Sequence, residues 1–406
     1  MQNSKLHICI VTGQFPALTE TFITTKVLEL SARGHRITVI TNQSGGHINH
    51  SHLAAVKKAG IEILSFTEVT TTSKILKSLS KNPGTFIKSL STDKAMLKKK
   101  YKAALQLTLL TKYPYDIVHF EFSGLAVSYM GAFPKIKSKT VVSCRGTAEK
   151  VKAITEKGRA ENLRQLFDNV DSIHCVSADM AKTISSYCNH PEKIFINRPS
   201  IDVDIFKRSK PYTHTSSTIQ ILSIGRFTFQ KGYLLGLLAM EELKNRGVDF
   251  IWRIVGDGPG MEEVLYHIHA LDLSAHVEIL GKKNRDEVLA LYNEVDIYFL
   301  PSVYEGIANV CLEAMAMELP VVATKSGGME EVIENEKDGM LAATYDHYQM
   351  AEQLHILAHD FEKRKAMGHK ARKKVINHFT IKQQVDVFEE QYISIISRNQ
   401  EKNGKP

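Results

Sequence analysis

The sequence lacks the features of a disulfide-stabilised or membrane-spanning protein. Its 406 residues include five cysteines, and no two of them share a C-x-x-C spacing. Because several lie in apolar runs, we expect reduced, buried thiols in a cytoplasmic protein. No charge-free apolar run reaches the roughly 18 residues of a membrane span. The apolar stretch LHICIV is too short for a secretory signal, and none is expected.

Acidic residues are also not grouped in the manner of metal ligands. The pair Asp202 and Asp204 has a suggestive spacing, but it falls at a predicted domain junction and has no acidic cluster in support. We therefore expect no metal site and no bound cofactor.

Positive charge, by contrast, is abundant and unevenly distributed. The whole chain has a net charge of +8, yet residues 1–200 contain 28 Lys and Arg against 14 Asp and Glu. Such a half attracts anions, which include nucleic acid, a membrane surface and an anionic acceptor. Nine lysines lie in 73–110, interleaved with apolar residues as in a pair of basic amphipathic helices. This segment is either an anchor on an anionic membrane or a solvated helical face.

The first half of the chain begins with a strand, a helix and a second strand, which predict a βαβ unit. Strand 5–12 ends at Gly13. We expect this glycine to face a ligand at the carboxyl edge of the sheet, unless it only makes a tight turn. His119 follows a later strand and is either a pocket residue or a satisfied core histidine. The further strands predicted in this half are 61–65, 117–120, 140–143, 172–176 and 194–197.

The second half shows a more regular alternation of strands and helices. Each predicted strand ends in a glycine or a loop, as in an open parallel sheet that binds a ligand at its carboxyl edge. The strands are 219–224, 250–255, 276–280, 296–300 and 320–323. The length favours two domains, and the alternation predicts an α/β fold with doubly wound, Rossmann-like sheets.

The stretch 298–317 connects the last part of this pattern to chemistry. A buried strand is followed by a loop with Glu305 and Gly306, and then by a helix that contains Glu313. A helix N-terminus offers unpaired N–H groups and a positive dipole end, which suit an anion. With two carboxylates for hydroxyl groups beside it, the predicted ligand is a nucleotide sugar. The alternative is that both glutamates are merely solvated.

The second half of the chain resembles the family 4 glycosyltransferases of the GT-B fold. The matching motifs occur in the family's order across about 219–345; they are Gly225-Arg226 with Lys231-Gly232, GDGP at 256–259, Leu280-Gly281, the block Pro301-Ser302, Glu305-Gly306 and Glu313-Ala314, and VVATKSGGMEEVI at 321–333. The start, GQFPALTETFI at 13–23, resembles the subgroup that builds exopolysaccharides such as colanic acid.

The resemblance implies two Rossmann-like domains that face each other across a cleft. Residues 1–206 would form the acceptor domain and 207–380 the donor domain, with a helix at 381–398 that crosses back to the first domain. The partners implied are a nucleotide sugar and a saccharide acceptor, lipid-linked or not, rather than nucleic acid. The protein would be cytoplasmic, with peripheral attachment to the inner face of the membrane as an option.

The resemblance also implies roles for individual residues. Arg226 and Lys231 would hold the donor diphosphate, and Glu305 would accept hydrogen bonds from the sugar, so these three are the expected catalytic residues. Glu313 would bind the ribose, and the backbone around Lys282 would face the base. The full donor set is Gly13, Arg226, Lys231, Lys282, Glu305, Gly306, Ile307, Ala308, Asn309 and Glu313.

One position departs from the family pattern. The family usually has a His-Gly step at the end of a first-domain strand, whereas this chain reads SCRG at 143–146, with Arg145 in the histidine position. Donor-sugar contacts in the first domain are therefore in doubt, although an arginine can bind an anionic group. Arg145 and His119 are the expected sugar or acceptor contacts of this half.

The function that the resemblance implies is retaining, metal-independent transfer of a hexose to a saccharide hydroxyl. Two other classes remain open. A sugar-nucleotide epimerase of the same fold would convert the donor without any acceptor, so incubation with donor alone separates the two enzymes. A non-catalytic nucleotide-sugar-binding protein is disfavoured because Arg226, Lys231, Glu305 and Glu313 are all present.

Overall fold

The protein is described here by a computed structural model, which covers residues 5–17, 20–43, 50–66, 94–213 and 217–403. The chain divides into two compact units. Unit 1 consists of Met1–Cys175, Ala181–Asn197 and Val385–Pro406, and unit 2 consists of Val176–Met180 and Arg198–Gln384. Each unit is built around one sheet, and each is described separately below.

Unit 1 contains a seven-stranded parallel sheet with the order β3-β2-β1-β4-β5-β6-β7. Central strands such as β4 are buried along their whole length, which explains why they read as continuous apolar runs. The strands are β1 His7–Gln14, β2 Arg36–Gln43, β3 Glu62–Ser65, β4 Ile117–Phe120, β5 Lys139–Cys144, β6 Ser172–Cys175 and β7 Ile194–Ile196.

The helices up to residue 185 connect these strands. They are α1 Thr21–Ala32, α2 His50–Lys58, α3 Lys94–Leu110, α4 Ser123–Val127, α5 Thr147–Lys150, α6 Lys152–Thr155, α7 Arg159–Asn169 and α8 Ala178–Ser185, with 3-10 turns at Met130–Lys135 and Pro191–Lys193. Part of the basic segment 73–110 thus forms α3, while 73–93 lies outside the described residues. In the part of the chain that is described, no helix combines the length and the apolar character that a membrane crossing requires.

Unit 2 contains a six-stranded parallel sheet with the order β10-β9-β8-β11-β12-β13. Its strands are β8 Ile219–Ile224, β9 Phe250–Val255, β10 Val277–Gly281, β11 Ile297–Leu300, β12 Val321–Thr324 and β13 Met340–Ala342. Its helices are α9 Tyr233–Asn245, α10 Met261–Ala270, α11 Arg285–Glu294, α12 Asn309–Ala316, α13 His347–His359 and α14 Phe361–His378, with 3-10 turns at Phe229–Lys231 and Gly327–Glu331. The two doubly wound, Rossmann-like sheets predicted from the sequence are confirmed.

The only tryptophan shows how the core of unit 2 accommodates polar atoms. Trp252 is fully buried on β9, and its indole N–H donates to the Ser223 hydroxyl over 2.8 Å. That hydroxyl in turn donates to the Phe299 carbonyl oxygen on β11 over 2.5 Å. A buried donor without a partner would cost about 1–3 kcal/mol, so this relay allows three neighbouring strands to share one apolar core.

The last helix, α15 Ile381–Asn403, contributes to unit 1 from Val385 onward. Within that unit Arg33 and His35 bind two carboxylates of this helix. The Arg33 guanidinium contacts Asp386 over 2.6 Å and also Glu389, and the His35 Nε2–H donates to Glu389 over 2.6 Å. The other ring nitrogen of His35 accepts the Leu6 N–H. This end of the chain is therefore part of the first sheet's packing.

A chain of hydrogen bonds runs through the core of unit 1 and ends on this helix. The Asn197 carbonyl oxygen can only accept, so His174 donates to it through Nε2 over 2.7 Å. His174 Nδ1 then accepts from Ser143, and Ser143 accepts from His119 Nε2, each over 2.8 Å. His119 Nδ1 finally accepts the Tyr392 hydroxyl over 2.6 Å. One tautomer of each histidine satisfies every atom.

This chain generates a prediction for Tyr392. Tyr392→Phe keeps the buried ring but leaves His119 Nδ1 without its donor, which should lower the free energy of unfolding by about 1–3 kcal/mol. Thermal unfolding should show a lower midpoint. Tyr348→Phe, at a tyrosine that is 61% exposed, is the matched control and should leave the midpoint unchanged. Equal midpoints for the two variants would contradict the role given to the hydroxyl.

Candidate functional site

The candidate site of unit 2 lies where the loops after its parallel strands meet at one edge of the sheet. Two glycines allow these loops to touch backbone to backbone. Gly232 has φ +64°, and a Cβ there would lie 2.0 Å from the Pro301 carbonyl oxygen. A Cβ at Gly328 would lie 2.0 Å from the Gly306 carbonyl oxygen. No other residue type fits at these contacts without a backbone shift.

The centre of this edge is an ion pair between Lys231 and Glu305. The Lys231 Nζ lies 2.6 Å from Glu305 Oε1, and the Ser302 hydroxyl donates to the same oxygen over 2.7 Å. Glu305 is only 6% exposed, so it is not the solvated loop residue that one interpretation of the sequence allowed. Among the described residues nothing hydrogen-bonds to its second oxygen, Oε2. The carboxylate therefore has one oxygen fixed by the protein and one available.

Three further charged residues lie on loops along the same edge of the sheet. Arg226, after β8, is exposed. Lys282, after β10, lies with its Nζ 2.6 Å from Asp257 Oδ2 after β9. The Lys282 ammonium lowers the pKa of the Asp257 carboxyl, and the charge of Arg226 acts in the same direction. The edge of the sheet thus gathers cations from two strands, because Arg226 and Lys231 follow β8 and Lys282 follows β10.

The helix that follows Glu305 begins at this edge. In α12 the N-cap residue, Ala308, offers no side-chain acceptor to the first turn. Within the described residues the N–H groups of Ile307, Ala308 and Asn309 have no acceptor. Unpaired N–H groups and the positive end of the dipole make this turn suitable for an anion such as phosphate.

Glu313 lies one turn further along α12, where its neighbours in the helix, Leu312 and Ala314, are buried. Its Oε2 accepts the hydroxyl of the buried Tyr292 over 3.0 Å. Burial raises the pKa of Glu313 to about 7, against the hydrogen bond from Tyr292 and the charge of Arg285. Glu313 must therefore lose a proton near neutral pH before it can act as a carboxylate. Ligand hydroxyls that donate hydrogen bonds to it would favour that loss.

The predicted residues of unit 1 have less uniform surroundings. Gly13 lies within β1 rather than in a turn, and a Cβ there would meet nothing within 4 Å. His119 is fully buried with both ring nitrogens hydrogen-bonded, which favours the core-histidine alternative. Burial lowers its pKa well below the ordinary value, so it is neutral at physiological pH.

Arg145 lies beside two residues that the sequence analysis missed. Its Nη2 is 2.6 Å from Glu121 Oε2, and its Nε donates to the Glu121 carbonyl oxygen over 3.1 Å. The buried Lys26 pairs with the other carboxylate oxygen of Glu121. Burial alone would raise the pKa of Glu121, but Lys26 and its neighbours lower it strongly. Glu121 directly follows β4, and that position was the signal available in the sequence.

The predicted residues thus divide between the two units. Lys231, Glu305 and 306–309 lie together in unit 2, with Glu313 one turn further and Arg226 and Lys282 on neighbouring loops. Gly13, His119 and Arg145 belong to unit 1. The acidic pair at the junction is used locally, because Asp202 Oδ1 accepts the N–H groups of residues 204 and 205.

In a comparison with known proteins, both halves of the chain match sequence profiles of glycosyltransferases. The sequence profile described as Glycosyltransferase Family 4 matches residues 19–205, and that described as Glycosyl transferases group 1 matches 204–374. The chain is 27% identical to WcaL of Escherichia coli (strain K12), named for a colanic acid biosynthesis glycosyltransferase, over 90% of this chain and 94% of that protein. It is 26% identical to the amylovoran biosynthesis glycosyltransferase AmsK of Erwinia amylovora, over 85% and 89%.

Solved structures share the fold at lower identity. A glycosyltransferase from Rickettsia africae ESF-5 superimposes with a TM-score of 0.71 and 21% identity, over 97% of this chain and 99% of that one. Anabaena Alr3699/HepE in complex with UDP and glucose superimposes with a TM-score of 0.74 and 16% identity, over 96% and 100%.

The raised pKa of Glu313 generates a prediction about stability. An unfolded glutamate titrates near pH 4.5 and the folded one near pH 7, so between these values the folded state binds more protons. Stability from this group therefore falls as the pH rises through that window. Glu313→Gln cannot ionise and still accepts the Tyr292 hydroxyl. It should match the wild type at pH 4.5 and exceed it at pH 8 by at most about 3 kcal/mol.

Thermal or urea unfolding of both proteins across pH 4.5–8 measures this difference. Glu294→Gln, at an exposed glutamate of α11, is the matched control and should show no gain at high pH. A difference between wild type and Glu313→Gln that stays constant with pH would show that Glu313 does not titrate in this range.

Proposed function

Because the chain belongs to the family 4 glycosyltransferases, we propose that it is a retaining, metal-independent glycosyltransferase of exopolysaccharide assembly. It would move a hexose from a nucleotide-diphosphate sugar to a hydroxyl group of a saccharide. The observation that carries this proposal is the Lys231–Glu305 ion pair at the start of α12, which places a cation, an available carboxylate oxygen and unpaired N–H groups together.

The donor would bind along this edge according to charge. The diphosphate would lie against the N–H groups of 307–309, with Lys231 and Arg226 as counter-charges. Glu305 would accept hydrogen bonds from the sugar through Oε2, since Oε1 already binds Lys231 and Ser302. Glu313 would accept the ribose hydroxyls, and the backbone at Lys282 would border the base.

The leaving group is a nucleoside diphosphate, whose negative charge grows as the sugar–phosphate bond breaks. Fixed positive groups that meet this charge lower the barrier because they stabilise the transition state more than the ground state. Arg226, Lys231 and the first turn of α12 supply such groups from the protein itself. They support a reaction in which these residues take the role that a metal ion has in other transferases.

The state of Glu305 supports attack from the face of the leaving group. The carboxylate of Glu305 already accepts hydrogen bonds from Lys231 and Ser302, and these bonds withdraw electron density and make it a weaker nucleophile towards the anomeric carbon. In the proposed step the bond from the anomeric carbon to the phosphate oxygen breaks. The acceptor oxygen bonds to that carbon on the same face, and its proton passes to a phosphate oxygen. The anomeric configuration is thereby retained.

The biosynthetic role rests on the relatives. WcaL and AmsK are named for colanic acid and amylovoran biosynthesis, and the chain covers 94% and 89% of them. We extend this role to the present chain as a proposal, with a saccharide as acceptor. The basic segment 73–110 is the part that we propose for contact with an anionic membrane.

The first test removes the cations that would face the diphosphate. A thermal-shift screen of nucleotide sugars identifies the donor, because binding stabilises the folded protein. Arg226→Ala and Lys231→Ala should then each lower turnover by at least one to two decades, since a charge-assisted contact contributes about 1.5–3 kcal/mol. Arg246→Ala removes an arginine after α9 that pairs with Glu242 and Glu352, and should keep full turnover.

Lys231→Ala also leaves Glu305 without its cation, so its unfolding midpoint must be measured alongside the rate. Arg226 is exposed, and its variant should fold normally. Normal turnover in the Arg226 variant and in a folded Lys231 variant would refute the donor assignment.

The second test compares the effects of replacing each of the two glutamates by glutamine. Glu305 would contact the transferred sugar, so Glu305→Gln should lower kcat with little change in the affinity for the bare nucleoside diphosphate. Glu313 would contact the ribose, which does not change during the reaction. Glu313→Gln should weaken donor and bare nucleoside diphosphate alike. Calorimetry with the bare nucleotide decides, because the opposite pattern would mean that the two roles are exchanged.

A further inference from the structure

The guanidinium of Arg145 in unit 1 is held rigidly along one of its edges. Arg145 follows β5, and its side edge, formed by Nε and Nη2, is used on the backbone and side chain of Glu121. The guanidinium also lies over the ring of Phe22 on α1, with its Cζ atom 4.3 Å from the ring centroid. Three contacts thus fix the plane and the direction of this group.

The opposite edge of the same guanidinium is available. Nη1 and Nη2 present two parallel N–H groups there, and among the described residues no acceptor binds Nη1. The side chain is 17% exposed, so it is not fully enclosed by the protein. A planar pair of parallel donors is the geometry that binds a carboxylate through both of its oxygens.

The charges around Arg145 are incompletely paired by direct contacts. Glu121 is completely buried, and two cations, Lys26 and Arg145, share its single negative charge. Burial keeps His119 and His174 uncharged, with the pKa of His174 lowered to about 3. Lys26 and Arg145 together carry one charge more than Glu121, and the other anion of this cluster is the carboxyl of Glu20, on which Arg145 also acts.

Two further polar side chains of unit 1, Thr12 and Glu20, lie next to one another. The buried Thr12 of β1 hydrogen-bonds to the Glu20 carboxyl, which lowers the pKa of Glu20 against the larger effect of burial. Arg145 acts on the Glu20 carboxyl, whose pKa is raised chiefly by burial, but no ion pair joins the two side chains. The remaining lone pairs of this carboxyl can accept hydrogen bonds from sugar hydroxyls.

We propose that the Arg145 edge is a carboxylate-binding site and that it selects an acidic sugar, a hexuronic acid, among the substrates of this enzyme. The proposal rests on the glycosyltransferase function proposed above and adds a substrate class to it. The carboxylate would accept from Nη1 and Nη2, while Thr12 and Glu20 would meet ring hydroxyls. The acidic residue belongs either to the donor or to the acceptor, and the same chemistry serves both.

The experiment compares acidic and neutral sugars that are otherwise identical. In the donor arm, calorimetry measures UDP-glucuronate against UDP-glucose. In the acceptor arm, ligand-observed NMR measures methyl glucuronoside against methyl glucoside, with and without UDP. We expect the acidic sugar to bind at least about tenfold more tightly in one arm, since a bidentate charge-assisted contact is gained. The arm that responds identifies the source of the carboxylate.

Substitutions then assign the preference to Arg145. Arg145→Gln should abolish it, and Arg145→Lys should retain only part of it, because lysine keeps the charge but not the planar fork. Lys139→Gln changes a cation at the other end of the same strand, paired with Asp171, and should keep the whole preference. Thermal unfolding verifies that each variant is folded, which is expected because Lys26 still neutralises Glu121.

Several outcomes would overturn the proposal. These are equal affinity for acidic and neutral sugars in both arms, a preference that survives Arg145→Gln, and glucose 6-phosphate that binds as tightly as glucuronate through Arg145. In each case UDP binding by the wild type would leave the glycosyltransferase proposal intact. Absence of binding by every nucleotide in the thermal-shift screen would instead refute that broader proposal, and the acceptor arm without UDP would still decide on Arg145.

Discussion

The buried carboxylate of Glu305 is the constraint on which the loops of unit 2 depend. A carboxylate that is 6% exposed would be costly without partners, and here Lys231 and Ser302 supply them from two different loops. That pairing fixes the loop after β8 against the loop after β11. Gly328, from the loop after β12, then fits against the Gly306 carbonyl because it has no side chain. The start of α12 is therefore positioned by charge first and by backbone packing second.

Unit 1 also contains a buried carboxylate that is stabilised by cations, although the residues are different. Glu121 follows a central strand, is completely buried, and is paired with Lys26 from α1 and with Arg145 from the next strand. The difference lies in the number of cations, since Glu305 has one and Glu121 has two. A carboxylate with one cation is locally neutral, whereas among the described residues the second cation at Glu121 has only the carboxyl of Glu20 as a further anion nearby, and no ion pair joins the two. Two related arrangements thus present different electrostatic surfaces to a ligand.

Much of the fold could be predicted because parallel sheets have a strong local signal. Fully buried strands read as apolar runs, and α9 and α14 have clear boundaries in the pattern of the sequence. The strand Met340–Ala342 was not predicted, since three residues are too short to show a period. The burial of Glu305 and the hydrogen bonds of His119 could not be predicted either. They depend on residues 74 and 273 positions away in the chain, and no local pattern records such a contact.

The candidate site of unit 2 contains several polar groups that have no partner among the described residues. Within the described residues, 307–309 have N–H groups without acceptors and Glu305 has an oxygen without a donor, while burial raises the pKa of Glu313 to about 7. Each of these features lowers the stability of the protein alone. Each is also complementary to one part of a nucleotide sugar, namely its phosphates, its hexose hydroxyls and its ribose hydroxyls. Polar groups left unsatisfied by folding are therefore where binding energy is available, and their arrangement along one edge sets the order in which the parts of the ligand would lie.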